Sequence, residues 1–180
     1  SIVMAKFIAS VIYTLLLLIW IAIMGLFLSM LIFGTDDLFL MKSSYVVIVK
    51  ESDVFWRYAG AFCFAALAMV TVAALGFFLS FFAENSIGPI VATMSVIIVC
   101  TILSTMNIPL FNLIKPYLFT THMITWKEFF DFKVNDANEA IIGSIQYPDK
   151  IIRSATVLAV HIVLFVGSAV WLFRKKDILS

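Results

Sequence analysis

Four long stretches without Asp, Glu, Lys or Arg constrain this chain more than any other feature. A helix needs about 20 apolar residues to cross roughly 30 Å of hydrocarbon, and each stretch reaches that length. Hydrocarbon offers the backbone no hydrogen-bond partner, so a span must be a helix or part of a closed barrel. Runs such as Leu15–Ile19 do not alternate apolar and polar residues as barrel strands do. The stretches, which therefore predict helices, are 7–33, 58–82, 86–111 and 154–173.

The predicted fold is all-α, a polytopic transmembrane bundle in which one domain covers residues 1–180. Composition agrees, because 63% of the residues are hydrophobic and 13% are charged, against roughly 25% charged in soluble domains. An even number of crossings puts both ends on one side of the membrane. A net charge of +1 gives no sign of a nucleic-acid partner. The spans are expected near 7–33, 58–82, 87–107 and 153–173.

Three connections of different character join these spans. The first, residues 34–57, mixes acidic and basic side chains and includes Tyr45–Val49, a β-branched stretch typical of a strand or an interfacial segment. The second, Ala83–Asn85, is so short that spans two and three must be antiparallel neighbours. The third, residues 112–150, is long, and we place it with the first on the outer side.

Residues 109–126, the proline segment, are apolar but too short to cross a membrane. Pro109 and Pro116 interrupt any straight helix. Non-helical backbone at membrane depth persists only where protein or a wet cavity covers it. We expect a short helix, a break near Pro116 and a second short helix that re-enters the membrane. The alternative is an amphipathic helix lying flat at the interface. Lys127–Tyr147 then predicts a polar, amphipathic loop or helix.

Few residues could carry chemistry inside the spans. The absence of charged side chains there argues against a proton-coupled carrier or an ion pump. His122 and His161 could ligate a haem between helices, but two separate, hydrogen-bonded histidines are the simpler interpretation. Cys63 and Cys100 lack C-x-x-C spacing and are interpreted as small apolar residues. We expect no metal and no cofactor on this chain.

The sequence also predicts that the chain is not an enzyme. Intramembrane proteolysis needs H-E-x-x-H, a pair of intramembrane Asp residues or a Ser–His dyad. The first two are absent, and Ser144 and His161 carry no flanking motif. No P-loop sequence is present, so any ATP hydrolysis must occur on another subunit.

Small and hydroxyl residues mark two helices. In span two, Ala61, Ala65 and Ala68 share one face, and small residues let helices approach closely in lipid. This small-residue face is either an interface between subunits or packing within one. The hydroxyls of span three line a pathway or bond their own helix carbonyls, which is the more economical account; they are Thr93, Ser95, Thr101, Ser104 and Thr105.

The basic cluster after the last span predicts a cytoplasmic C-terminus. Arg174, Lys175 and Lys176 directly follow the last span, and basic residues concentrate on the cytoplasmic side. The long outer loops nevertheless carry more basic residues in total. The chain begins Ser-Ile-Val without an initiator Met or a signal peptide, which indicates a fragment.

The arrangement resembles the C-terminal two-thirds of the permease subunits of type-2 ABC exporters. Ser1–Phe7, with Lys6, is similar to the end of the family's cytoplasmic loop. Two spans with a short cytoplasmic link, an outer proline-marked segment and a last helix ending in Phe-Arg-Lys-Lys-Asp-Ile-Leu (173–179) follow in the family's order. Two further helices precede this region in family members, and most of the elements that contact the ATPase lie there.

The resemblance implies a homo- or heterodimer of permeases in the bacterial plasma (inner) membrane. Two cytoplasmic ATP-binding subunits would hold ATP and Mg²⁺ and drive the export of an amphiphilic, lipid-like or peptide-like substrate. Lys6, Glu84 and Asn85 would lie near the ATPase. The alternative is a non-transporting scaffold subunit of a larger membrane complex. The proline segment would form the outer gate, with candidate residues Phe111, Leu113, Tyr117, Leu118 and Phe119.

Overall fold

A computed structural model describes residues 2–41, 46–83, 85, 87–106, 108–135 and 141–177. The described chain is nearly all-α and contains four helices long and apolar enough to cross a membrane, as predicted. These four helices are α1 (Ile2–Phe33), α2 (Glu51–Leu79), α3 (Ile87–Thr105) and α6 (Pro148–Asp177).

Helices α1, α2 and α6 begin earlier than the uncharged stretches do, and two of them, α2 and α6, have acidic first turns. Helix α2 starts at Glu51, and both Glu51 and Asp53 lie in its first turn, where carboxylates interact favourably with the helix dipole. Helix α6 starts at Pro148 with Asp149 in its first turn, and proline is well suited to the first helical position. Hydropathy does not detect these polar first turns.

Helix α2 lies at the centre of the packing. It contacts α6 most extensively and also packs against α1 and α3. The main core cluster consists of buried side chains from α2, α6 and the proline segment, namely Phe64, Ala68, Leu75, Phe119 and Leu158. No residue in the apolar window of α1 is buried, so α1 lies at the edge of the bundle.

Aromatic contacts show which helix ends lie together. The ring of Phe7, near the start of α1, is 5.3 Å from that of Phe77 near the end of α2. Phe81, in the short 3₁₀ turn Ser80–Phe82, is 6.4 Å from Phe173 in the last turns of α6. The start of α1, the α2–α3 link and the end of α6 therefore share one end of the bundle, which we call the basic end.

A hairpin and the proline segment lie at the other end. Strands β1 (Leu38–Met41) and β2 (Val46–Val49) pair antiparallel, with Leu38 opposite Val49. For residues 45–49 the sequence left a strand or an interfacial segment open. The structure shows a strand over Val46–Val49, and Tyr45 lies outside the described residues. The sequence does not predict strand β1, because the four-residue apolar stretch Leu38–Met41 has no periodicity that distinguishes a strand from a helix.

The proline segment is a chain of short helical pieces, and its re-entry into the membrane stays a prediction. Helix α4 (Pro109–Asn112) and a 3₁₀ turn (Lys115–Tyr117) precede α5 (Phe119–Met123), and a second 3₁₀ stretch (Ile124–Phe130) follows. Leu118, which connects the Lys115–Tyr117 turn to α5, is extended with ψ 122°. Beyond Phe130 the helical structure ends: Asp131 is extended and Val134 forms a single β-bridge.

Candidate functional site

The five candidate gate residues divide between the surface and the core. Leu113 and Tyr117 are 79% and 74% exposed, whereas Phe111 and Leu118 are half-buried. Phe119 is only 4% exposed and packs its ring against His161 and Phe165 of α6. An outward-facing role therefore fits Leu113 and Tyr117, while Phe119 anchors the proline segment to the core of its own chain.

His122 fastens α5 to α6 through hydrogen bonds at both ring nitrogens. Nδ1 lies 2.9 Å from Ser154 Oγ, and Nε2 lies 2.9 Å from the carbonyl oxygen of Pro116. Thr125 Oγ1 donates to Ser154 Oγ at 3.0 Å. All three side chains are buried. One polar group thus holds the 3₁₀ turn at Pro116, helix α5 and the first turns of α6 together.

The partners of this group assign its protons. A carbonyl oxygen only accepts, so Nε2 of His122 carries the proton and donates it to Pro116. In the neutral form of the imidazole, Nδ1 then accepts from the Ser154 hydroxyl, which itself accepts from Thr125. A serine hydrogen-bonded to a histidine also occurs in nucleophile–base pairs. Here the hydroxyl is enclosed by its partners, so it orients the proline segment.

Arg57 forms a second polar junction, at the start of α2. Its guanidinium is fully buried, Nε donates to Asp53 Oδ2 at 2.8 Å, and Nη2 lies 2.7 Å from the same oxygen in the ion pair. Nη1 donates to the carbonyl of Phe129 at 2.8 Å, and Nη2 to that of Ser144 at 2.6 Å. A buried charge is tolerated only when it is paired and its donors are satisfied. Arg57 therefore needs both distant carbonyls to be in place.

Asp53 completes the junction from the opposite side. Its Oδ1 accepts from the backbone N–H of Gly143 at 3.0 Å and also from the indole N–H of Trp56. The Arg57 guanidinium lies 4.7 Å from the centre of the Trp56 ring and 5.4 Å from that of Phe132, within the range of cation–π attraction. The ion pair thus joins α2 to residues 129–144, which are remote in sequence.

Helix α2 and the Ile124–Phe130 stretch also make a very close apolar contact. A methyl group in place of the Gly60 hydrogen would lie 2.6 Å from Cε1 of the Phe129 ring. The small-residue face points to the same interior, since Ala61 and Ala68 are buried and Ala65 is half-buried. Of the two interpretations of this face, the described structure supports packing within the chain.

Sequence reasoning did not identify either junction. The sequence analysis assigns Asp53 and Arg57 to a loop, although their i,i+4 spacing is typical of an ion pair on a helix. For His122 the sequence leaves a haem ligand or a hydrogen-bonded polar residue open, and the structure shows the hydrogen-bonded residue. His161 bonds the carbonyl of Val157 in its own helix.

At the basic end, Lys6 and Asn85 are exposed. Asn85 Oδ1 accepts from the N–H of Gly88 at 2.9 Å and so caps α3, while Glu84 lies outside the described residues. Four hydroxyls of α3 donate to carbonyl oxygens of their own helix; they are Thr93, Ser95, Ser104 and Thr105. Among the described residues, no group of three His, Cys, Asp or Glu side chains is placed to hold a metal.

Comparison with known proteins gives a match to a family model. The model of a family described as "Protein of unknown function (DUF2705)" matches residues 1–179. No curated protein and no solved structure matches the chain.

Proposed function

The chain belongs to the family described as "Protein of unknown function (DUF2705)", and from that premise we propose that it is the membrane-spanning permease subunit of an ABC exporter. It works with separate cytoplasmic ATPase subunits, which bind ATP and Mg²⁺, and with a second permease subunit. Its substrate is amphiphilic, lipid-like or peptide-like, and its location is the bacterial plasma membrane. The support comes from the sequence resemblance and from the position of one segment.

The observation that carries the proposal is the fixation of the proline segment between α2 and α6. His122 and Phe119 attach its second half to α6, and Arg57 and Gly60 on α2 hold the residues that follow it. Leu113 and Tyr117, in its first half, remain exposed. A segment with one fixed half and one exposed apolar half is suited to gating, because a tilt of α2 or α6 would move it as a unit.

The basic end is where the ATPase would bind. The α2–α3 link, Lys6 and the last turns of α6 meet there, away from the proline segment. Closure of the ATPase dimer would tilt the helices, and the two buried junctions would transmit this tilt to the outer gate. A coupling of this kind needs a discrete element that both sites can shift; α2, which contacts both ends, is that element.

The first test is purification of the protein from its native membrane in mild detergent. We expect an ATP-binding subunit to co-purify and the complex to hydrolyse Mg-ATP. The Tyr117→Ala variant should alter the substrate-stimulated ATPase rate with assembly intact. Tyr147→Ala, at another exposed tyrosine outside the proline segment, is the matched control. Absence of an ATPase subunit, or equal rates in both variants and the wild type, would contradict the proposal.

The scaffold function is the second candidate, and the surface of α1 favours it. The helix has no buried residue in its apolar window, so neighbouring subunits of a larger complex could cover it as readily as lipid could. A scaffold would co-purify with other membrane subunits and without an ATPase. Subunit identification in the same preparation therefore separates the two candidates.

A further inference from the structure

A groove on the outer face of α6 leads from apolar residues to a pair of cations. It is open and has a volume of about 300 Å³. Its lining comprises Val163, Leu164, Gly167, Ser168 and Trp171, all of them exposed. Buried Leu158 and Ala169 lie on the opposite side of the helix, which packs against the bundle. The groove thus faces away from the chain's own core.

The depth of the groove comes from Gly167. A methyl group at this position would meet no atom within 4 Å, so the glycine is not required by packing inside the chain. With Val163 and Trp171 one turn to either side, the missing side chain leaves a depression between two large apolar ones. At 1.5 Å of rise per residue, Val163 to Trp171 spans about 12 Å along the helix, a length that an acyl chain could follow.

Two cations lie where the groove reaches the basic end of the bundle. Lys175 is one turn beyond Trp171, and its Nζ is 5.4 Å from the centre of the Trp171 ring. Arg174 is exposed beside it. The ion pairs seen within the described ranges involve Arg57 and Lys150, not these two residues. Tryptophan and lysine at the end of a span lie at the headgroup level of a bilayer.

We propose that this groove is a binding site for one anionic phospholipid of the cytoplasmic leaflet. An acyl chain occupies the depression at Gly167, the glycerol region lies against Trp171, and the phosphate interacts with Lys175 and Arg174. Charge complementarity identifies a lipid rather than a helix as the occupant, because a purely apolar helix would leave both cations without a counter-charge. The inference rests on the membrane insertion and orientation in the proposed function.

The test measures lipid binding to the purified protein by native mass spectrometry, with phosphatidylglycerol and phosphatidylcholine titrated separately. Lys175→Gln should weaken phosphatidylglycerol binding about fivefold, as expected for loss of one cation near a lipid surface, with phosphatidylcholine unchanged. Gly167→Leu should weaken binding of both lipids, because the leucine side chain fills the depression.

Two matched controls distinguish the site from general effects. Gly25→Leu adds the same side chain to α1, where a methyl group would also meet no atom within 4 Å, and should bind both lipids like the wild type. Arg153→Gln removes an exposed cation from the opposite end of α6 and should do the same.

Equal lipid binding by Gly167→Leu and Gly25→Leu would overturn the proposal. So would a change in oligomeric state in Gly167→Leu with lipid binding intact, which would identify a second copy of the chain as the occupant. These results are separable from the proposed function. If an ATPase subunit co-purifies and Gly167→Leu binds both lipids like the wild type, only the lipid site is refuted. Selective lipid binding without an ATPase refutes the transporter alone.

Discussion

At the residue scale, the ion pair of Arg57 with Asp53 is the most demanding feature of the chain. The guanidinium is fully buried, and its partners Phe129 and Ser144 are 72 and 87 residues away in sequence. Such a group stabilises one arrangement of the backbone and penalises others, because every displaced carbonyl leaves a buried charge without a partner.

Arg57→Ala should therefore be strongly destabilising. Removing one member of a buried ion pair costs about 3–5 kcal/mol, since Asp53 would remain buried without its counter-charge. The free energy of unfolding in mixed detergent and denaturant measures the effect. Arg153→Ala, at an exposed arginine on α6, is the control and should unfold like the wild type. Equal stability of the two variants would show that the ion pair is not buried in the folded protein.

Ser154→Ala tests the second junction. It removes the donor to His122 Nδ1 and the acceptor for Thr125, and each unsatisfied buried group costs about 1–3 kcal/mol. Thr156→Ala is the control, because Thr156 is exposed and bonds only the carbonyl of Ile152 in its own helix. We expect a lower melting temperature for Ser154→Ala only. Matching melting temperatures would contradict the hydrogen-bonded group described for His122.

At the element scale, α2 organises the bundle. Its core residues pack against α6, it carries Arg57, and its Gly60 contacts the Phe129 ring. Glycine allows this close approach because it has no Cβ. The same helix thus contacts the basic end, the core and the segment that follows α5.

Gly60→Ala should destabilise the protein although alanine is the better helix former. The new methyl would lie 2.6 Å from Cε1 of Phe129, and overpacking of this kind typically costs about 1–3 kcal/mol. Gly25→Ala on α1 meets no atom within 4 Å and should be at least as stable as the wild type. Thermal unfolding in detergent compares the pair, and a stabilised Gly60→Ala protein would rule out the close contact.

At the scale of the whole molecule, the two ends of the bundle differ in composition and contacts. One end gathers the start of α1, the α2–α3 link and the end of α6. The other carries the hairpin, the proline segment and both buried junctions. If all four helices cross a membrane, these two ends must lie on opposite sides of it.

Single cysteines introduced in a background without Cys63 and Cys100 test this arrangement. We expect Lys6→Cys and Asn85→Cys to be protected from a membrane-impermeant maleimide added to intact cells, and Thr35→Cys, between α1 and β1, to react. Permeabilised cells provide the control, since all three exposed positions should then be labelled. Labelling of Asn85→Cys in intact cells would reverse the orientation and remove the ATPase from the basic end.

The sequence by itself determined the four helices, the tight link between spans two and three, and the helical breaks near Pro116. These features depend on hydropathy, loop length and proline chemistry, which act over a few neighbouring residues. The tertiary structure decided that Phe119 packs inward, that Ala61 and Ala68 are buried in the chain's own core, and that Arg57 bonds Phe129 and Ser144. The physical reason is that a side chain's hydrogen-bond and packing partners come from distant parts of the chain, and local pattern carries no information about which parts meet.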